Sequence, residues 1–478
     1  MPKANLVYFI PNSRWFGRRP WVIWPQSALI LTSLLKEDFN FKILDANIHD
    51  LSQDQCKSLL QTERPAAVLV SGFSVEYRQQ YHAALALARA TCPDAITVLG
   101  GVYPTVLGEE AIRDPNLDYI FLGHAEERIC EFLSLAMGGS KKVQDLPGIG
   151  FREKSGDIVI NPVKSYISEV RKLAKLDYSL IDVGAYLQFK GKDYQFNTVC
   201  RTASLVTSYG CSYNCLFCAA RTISGRGTAY RPVGDVLEEI ELLKYKHRVE
   251  NLAFIDDCFL GDRPRIYSIL NSFIERKYNL PWKSANVCAW HLNDELLRLM
   301  KESGCTQITV SVESGSSRVL NKIIRKPLNL EIIPGIIEKC KELGIDIGAN
   351  FVIGLPGETW EEIRETFRFA EACNFNLAHF HIATPLPKTD LYEVAKRNKL
   401  LPPDFSFSNP KLFGFGRGLI TTDEFTPSEL MVLRAFEWDR INFNSAEKTA
   451  KIAKMMNLSI EELNLHRKQT RLNYGIHF

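Results

Sequence analysis

The sequence predicts an α/β protein: an N-terminal doubly wound, Rossmann-like sheet, a partial (β/α)6 barrel, and a helix-rich C-terminal region. Three observations carry this. Short apolar runs alternate with amphipathic stretches over residues 1–150. The alternation returns over 200–390, and from 391 to 478 helical periodicity dominates. Strands that alternate with helices pair in parallel through right-handed crossovers.

In the first region, strands are expected at Leu6–Ile10, Phe41–Leu44, Ala67–Val70, Ile96–Leu99 and Tyr119–Leu122. Amphipathic stretches such as Tyr81–Arg89 lie between them. The segments that follow the runs are PNSRWFG, DANIHD, SGFSVEY, GGVYPT and GHAEE. They are rich in glycine, serine and polar residues, and open sheets of this kind bind ligands beyond the carboxyl ends of their strands. Residues 151–199 read as a connector that opens with a hairpin, GIGFREKSGDIVINPV, turning at Ser155-Gly156-Asp157.

Six further strands are expected in the second region, at Ala203–Thr207, Leu252–Ile255, Ser284–Val287, Gln307–Val312, Asp346–Ile353 and Ala378–Thr384. Helices at Val236–Tyr245 and Glu361–Cys373 fit between them. Six β/α units suit a partial barrel, with its chemistry at the carboxyl ends of the strands. The tail carries helical patterns at Pro427–Asn442, Ser445–Met456 and Ile460–Arg471.

Composition narrows the class. The 478 residues are 46% hydrophobic and 24% charged, with 58 basic against 55 acidic residues. That balance fits a globular protein and is too even to suggest a nucleic-acid surface, which normally shows a basic cluster. The start, MPKANLVYFIPN, does not read as a secretory signal. The apolar stretch at 21–35 is broken by Pro25, Gln26 and Ser27, so a loop followed by a helix outranks a membrane-touching patch. Twelve cysteines spread through apolar segments point to a reducing compartment, the cytoplasm, with most of them acting as small core residues.

Three cysteines depart from that pattern. SYGCSYNCLFC places Cys211, Cys215 and Cys218 in CxxxCxxC spacing. Thiolates bind iron–sulfur clusters, and three on a tight loop can hold three corners of a 4Fe–4S cube while leaving one iron open. Structural zinc asks for four ligands, and Cys200, beyond the preceding strand, is a poor fourth.

With these residues the sequence resembles the radical S-adenosylmethionine (SAM) superfamily, in which an aromatic precedes the last cysteine; here it is Phe217. FIDDCF at 254–259, SVESGS at 311–316, FVIGLPGET at 351–359 and ATPLPKTDLY at 383–392 resemble its later strand-end elements. The resemblance implies SAM chelated to the open iron. It implies further SAM contacts from Phe217, Ser311 and Glu313, and from backbone near Val352, Gly354 and Leu355. Asp256 and Asp257 either line the pocket on the substrate side or cap the next helix. Lys388 stands where the family has glycine, and either reshapes that loop or faces substrate. Asn350 replaces another family glycine.

The first region resembles the domain that precedes this core in cobalamin-dependent, class B radical SAM methyltransferases. GGVYPT is similar to its GG-x-H-P-T and GHAEE to its GEGE. The resemblance implies cobalamin contacts from Ser71, Gly72, Phe73, Ser74, Gly100, Gly101, Tyr103, Thr105, Gly123 and Glu126. Tyr103 replaces the common histidine and no DxHxxG is present, so cobalt is expected without a protein histidine, and His49 reads as a loop residue. The implied activity is methylation of an unactivated carbon of a small-molecule or lipid-like substrate through a 5′-deoxyadenosyl radical and methylcobalamin. A flavodoxin- or ferredoxin-type protein would be the reductant. The alternatives are a radical cyclase, ring-contracting or oxidative enzyme with the same cofactors, and a cobalamin sensor or carrier with a structural cluster. The aromatic stretch DFSFSNPKLFGFGRG is a candidate substrate contact.

Overall fold

The computed structural model describes residues 3–18, 20–164, 175–189, 201–407 and 417–473. Cys200 and residues 408–416 of the aromatic stretch lie outside them. The chain forms two compact units. One comprises Met1–Phe189 with Ala220–Asp235, the other Lys190–Ala219 with Val236–Phe478.

The first unit is built on a seven-stranded sheet of β1 (Asn5–Ile10), β2 (Asn40–Asp45), β3 (Ala67–Ser71), β4 (Ile96–Gly100), β5 (Tyr119–Phe121), β6 (Ile149–Arg152) and β7 (Ile158–Ile160). Their order is β2-β1-β3-β4-β5-β6-β7. β1 to β5 are parallel. Leu6 to Ile10 and Ala67 to Val70 are buried without alternation, as strands covered on both faces must be. The strand order reverses between β1 and β3, the kind of switch point that opens a crevice at the carboxyl ends. The expected hairpin forms, but it joins the sheet: β6 pairs antiparallel with β5 and with β7. Ile149 and Phe151 are apolar enough to be buried there, which makes the hairpin part of the first unit rather than a free connector.

The second unit holds a six-stranded parallel sheet of β8 (Thr202–Leu205), β9 (Asn251–Phe254), β10 (Trp282–Val287), β11 (Cys305–Glu313), β12 (Asp346–Ile353) and β13 (Leu377–Ile382). They run in reverse sequence order from β13 to β8. Helix Trp360–Cys373 starts on a capping box between Thr359 and Glu362, and Pro427–Asn442 on one between Thr426 and Glu429. The expected helix through Tyr245 ends at Glu241 and continues as a π turn, Leu242–Lys246, whose wider pitch keeps Leu243 in the core.

Edge strand β13 is covered by helix Pro427–Asn442. The Asn442 amide accepts from the Ala378 N–H and donates to the Ala378 carbonyl, both at 2.8 Å. One side chain thus completes an edge residue's backbone bonding. Below the edge strand, Leu377 packs with Ile452, Ala453, Met456 and Leu463 of the last two helices.

Candidate active site

In the first unit, backbone crosses backbone where a ligand is expected. The Gly72 N–H donates to the Gly100 carbonyl and the Tyr103 N–H to the Gly72 carbonyl, each at 2.8 Å. Gly101 sits at φ +100°, and a Cβ there would lie 2.8 Å from the Gly72 oxygen. Only glycine meets both demands. A cavity of about 180 Å³ opens beside this crossing, with Ser71, Gly100, Gly101, Gly123 and Glu126 in its lining. The Glu126 Oε2 is buried with no hydrogen-bond partner, an acceptor aimed at an absent donor. Glycine floor, apolar wall and orphaned acceptor suit one edge of a large amide-bearing ring such as a corrin.

Other expected contacts serve the frame of this cavity. Tyr103 is fully buried, its ring near Tyr81 and its hydroxyl 2.8 Å from His82 Nε2. His82 Nδ1 in turn pairs with Asp114 at 2.6 Å. Thr105 donates its hydroxyl to the Gly101 carbonyl and accepts from the Gly123 N–H, tying two glycine loops together. Gly72 supports Gly101 from beneath. Phe73 packs among Trp21, Tyr77 and Tyr81, and the Ser74 hydroxyl accepts from the Glu76 N–H. His49 is exposed in a turn and does not line the cavity. Sequence reasoning missed Tyr8, Ser27 and His124. The Tyr8 hydroxyl bonds Ser71 and Ser27, and burial pushes its pKa up to about 12. His124 Nε2 lies 3.1 Å from the Ser224 hydroxyl.

In the second unit, the cysteine loop follows β8 and is pinned from β9. Asp256 accepts from the Thr207 N–H and hydroxyl and from the Ser208 hydroxyl at 2.6–3.0 Å. Asp257 accepts from the Gly210 N–H at 3.2 Å. The buried Asp256 holds the loop through Oδ1 while its Oδ2 has no hydrogen-bond partner, and Asp257 holds the residue before Cys211. Cys211, Cys215 and Phe217 are half-buried, Cys218 is exposed, and the Cys218 N–H donates to the Cys215 carbonyl. Burial pushes the Cys215 thiol up to about 12, so a metal must displace its proton.

Glu313 ends β11 after a register shift, at φ +75°, in the left-handed region that a glutamate seldom adopts. Its Oε1 accepts from Lys326 Nζ at 2.8 Å, and both groups are buried. Burial works against the Lys326 ammonium, but Glu313 and the neighbouring Cys215 outweigh it and hold its pKa above the usual lysine value. Lys326 also stands 5.4 Å from the Trp290 ring centre. A carboxylate and an ammonium side by side complement the amino and carboxylate ends of an amino acid, as in the methionine part of SAM. Lys326 was missed because its position thirteen residues past Glu313 carries no signal of contact.

Ser311, Asn350 and His379 are register neighbours on β11, β12 and β13. Asn350 Oδ1 and the deeper Thr309 hydroxyl have no hydrogen-bond partner. His379 and His381 stack at 6.2 Å, and burial lowers the His379 pKa to about 3, so that ring is neutral. The alternation His379-Phe380-His381 within a strand was the available sign that both face one side. Val352 pairs with His381 at the end of β12.

Gly354 and Leu355 directly follow β12. Their N–H groups donate to Glu358 Oε2 at 2.7 and 3.0 Å, and Leu355 is fully buried, so neither offers a free N–H to adenine. Lys388 is exposed at φ +65°, so the loop keeps the left-handed turn that explains the family's glycine there.

The sequence profile of the Radical SAM superfamily matches residues 205–370. That of the B12 binding domain matches residues 23–133. The cytidylyl-2-hydroxyethylphosphonate methyltransferase of Streptomyces wedmorensis is 28% identical over 385 residues, covering 75% of this chain and 72% of that protein. The anaerobic magnesium-protoporphyrin IX monomethyl ester cyclase of Rubrivivax gelatinosus is 25% identical over 355 residues, covering 73% and 62%. The structure of the radical SAM methyltransferase TsrM from Kitasatospora setae, with cobalamin and a 4Fe–4S cluster bound, aligns over 98% of this chain and 99% of that one. Its TM-score is 0.74 at 16% identity, a likeness of fold. The cysteine loop and the matched core define a radical SAM enzyme. With the domain that precedes it, the chain is a cobalamin-dependent radical SAM enzyme, and its cofactors are a 4Fe–4S cluster, SAM and cobalamin.

Proposed function

We propose that this enzyme transfers a methyl group to an unactivated carbon of a small-molecule or lipid-like substrate. The observation that carries the reading is the pairing, in one chain, of a glycine-floored cavity with a thiol loop beside the Glu313–Lys326 pair. The bound cofactors supply hydrogen abstraction from carbon and a methyl donor; the protein supplies binding, orientation and exclusion of water. Cys211, Cys215 and Cys218 would hold the cluster, with Asp256 and Asp257 fixing their loop. Glu313 would hold the amino group of SAM and Lys326 its carboxylate. Ser71, Gly100, Gly101, Gly123 and Glu126 would hold cobalamin, joined by Tyr8, Ser27 and His124.

The two relatives named above set the choice of outcome, since one is a methyltransferase and the other a cyclase. Anaerobic turnover with candidate substrates and a flavodoxin- or ferredoxin-type reductant decides it by product mass. A gain of one methylene supports methylation; cyclised or oxidised product without that gain supports the second reading. The spread of cysteines through apolar segments of the sequence favours action in the reducing cytoplasm. Among the described residues no helix is long and apolar enough to cross a membrane.

A further inference from the structure

Beside the cluster loop lies a second group of soft donors that the proposed chemistry does not use. Cys258 follows β9 by four residues, Cys288 directly follows β10, and His291 ends the short helical turn Ala289–His291. Their donor atoms all lie within 4.8 Å of one another. A tetrahedral ion with metal–sulfur bonds of about 2.3 Å and metal–nitrogen bonds of about 2.0 Å spaces its donors by about 3.5–3.8 Å. Side-chain adjustments of about an ångström would therefore close the set.

The surroundings fit a metal-binding histidine. One His291 nitrogen, Nε2, lies 2.9 Å from the Tyr213 hydroxyl, which also accepts from Trp290 Nε1 at 2.7 Å. A ligating imidazole characteristically spends its other nitrogen on such a partner, which fixes ring orientation and tautomer. Nδ1 is then the nitrogen left for a metal. Two thiols in contact with each other and with no disulfide are otherwise an unrewarded arrangement beside an oxidation-sensitive centre.

We infer that Cys258, Cys288 and His291 form a mononuclear site for a thiophilic divalent ion of the zinc type, separate from the iron–sulfur cluster. Two sulfurs and one nitrogen are soft and borderline donors that select such an ion over magnesium or calcium. Binding displaces the two thiol protons and leaves the ion's charge balanced by two thiolates. Three protein ligands leave a fourth position, which in sites of this type takes water or a substrate heteroatom. The substrate class this favours bears an oxygen or nitrogen donor that an ion could anchor. Cys258 also touches Cys211. In protein that has lost its cluster, Cys211 could fill the fourth position and complete a Cys3His set.

The test uses the reconstituted full-length enzyme, freed of loose metal and titrated anaerobically with Co2+ as the probe. One cobalt per chain beyond the cobalt of cobalamin is expected, with thiolate charge-transfer and tetrahedral d–d absorption. The paired changes Cys258→Ser and Cys288→Ser should abolish both bands. Tyr213→Phe, which leaves all three donors in place, should weaken cobalt binding about tenfold. The Cys211→Ala, Cys215→Ala, Cys218→Ala variant should lose the cluster and keep the cobalt. If the paired serine variant does not fold, X-ray absorption of the zinc-loaded wild type replaces it, with two sulfurs and one nitrogen expected in the first shell of scatterers. Absence of that additional cobalt from the cluster-loaded enzyme overturns the inference. So does cobalt that disappears with the three cluster cysteines, or a scattering shell without that composition.

Discussion

The two units hold their ligand sites in opposite ways. The first offers shape: a glycine crossing, an apolar wall and one orphaned carboxylate oxygen. The second offers donors: thiols, a buried ion pair and a row of polar side chains at strand ends. A large ligand is gripped by removing side chains so that backbone can approach it. A metal cluster and a zwitterion are gripped by placing charge and sulfur. Damage to the two sites should therefore differ in kind, and that difference is testable.

The largest effect is expected from Cys211→Ala, Cys215→Ala and Cys218→Ala together. Iron, sulfide and reductive SAM cleavage should be lost while cobalamin retention stays as in wild type. Cobalamin loss in that variant would break the separation of the two sites. Next comes Lys326→Met, which leaves Glu313 buried without its partner. A stability loss of about 3–5 kcal/mol is expected, with SAM affinity at least about tenfold weaker and iron content unchanged, as read by denaturant melts and isothermal titration. Gly101→Val should cost at least about 1–3 kcal/mol, because a side chain must adopt a positive φ and also meets the Gly72 backbone. Cobalamin retention should fall with the cluster intact, and equal retention would show that the crossing does not shape the site.

The smallest effect concerns Glu358, whose pKa burial pushes up to about 8. Between the ordinary glutamate pKa of about 4.3 and about 8, the folded protein keeps a proton that the unfolded chain releases. Stability should therefore fall as pH rises through that window and level off above it. Glu358→Gln keeps an acceptor for the Gly354 and Leu355 N–H groups and removes the ionisation. Its Tm should decline less than wild type between pH 5 and 8.5, by the equivalent of no more than a few kcal/mol. Parallel curves for the two proteins would refute this.

The strands were legible because parallel strands buried on both faces leave apolar runs that need no partner to be seen. Asp346–Ile353 and helix Pro427–Asn442 fall at their expected bounds. The cysteine loop was legible for a similar reason, since all its ligands lie within eight residues. Contacts made across the sheet left no such trace. Lys326 reaches Glu313, and Tyr8 reaches Ser27 and Ser71, only once the strands are in order. The Tyr103 hydroxyl and the Leu355 N–H show the converse: each stands in a motif, yet hydrogen bonding ties it to its neighbours. A motif marks the place where chemistry occurs without saying which of its members face inward.

The division of the chain has a consequence for its synthesis. The first unit takes back Ala220–Asp235 after the strand and cysteine loop of the second have begun. That returning segment brings Ile223 to the cavity wall and Ser224 to His124. A nascent chain halted near residue 190 has made all seven strands of the first sheet but not the last piece of its pocket. Domains generally fold in order as they leave the ribosome. Here the first must wait for the next forty-odd residues, the stretch that carries the three cluster cysteines, before its cavity is finished. A gene cut at the apparent boundary would yield a sheet that folds and a pocket that does not close.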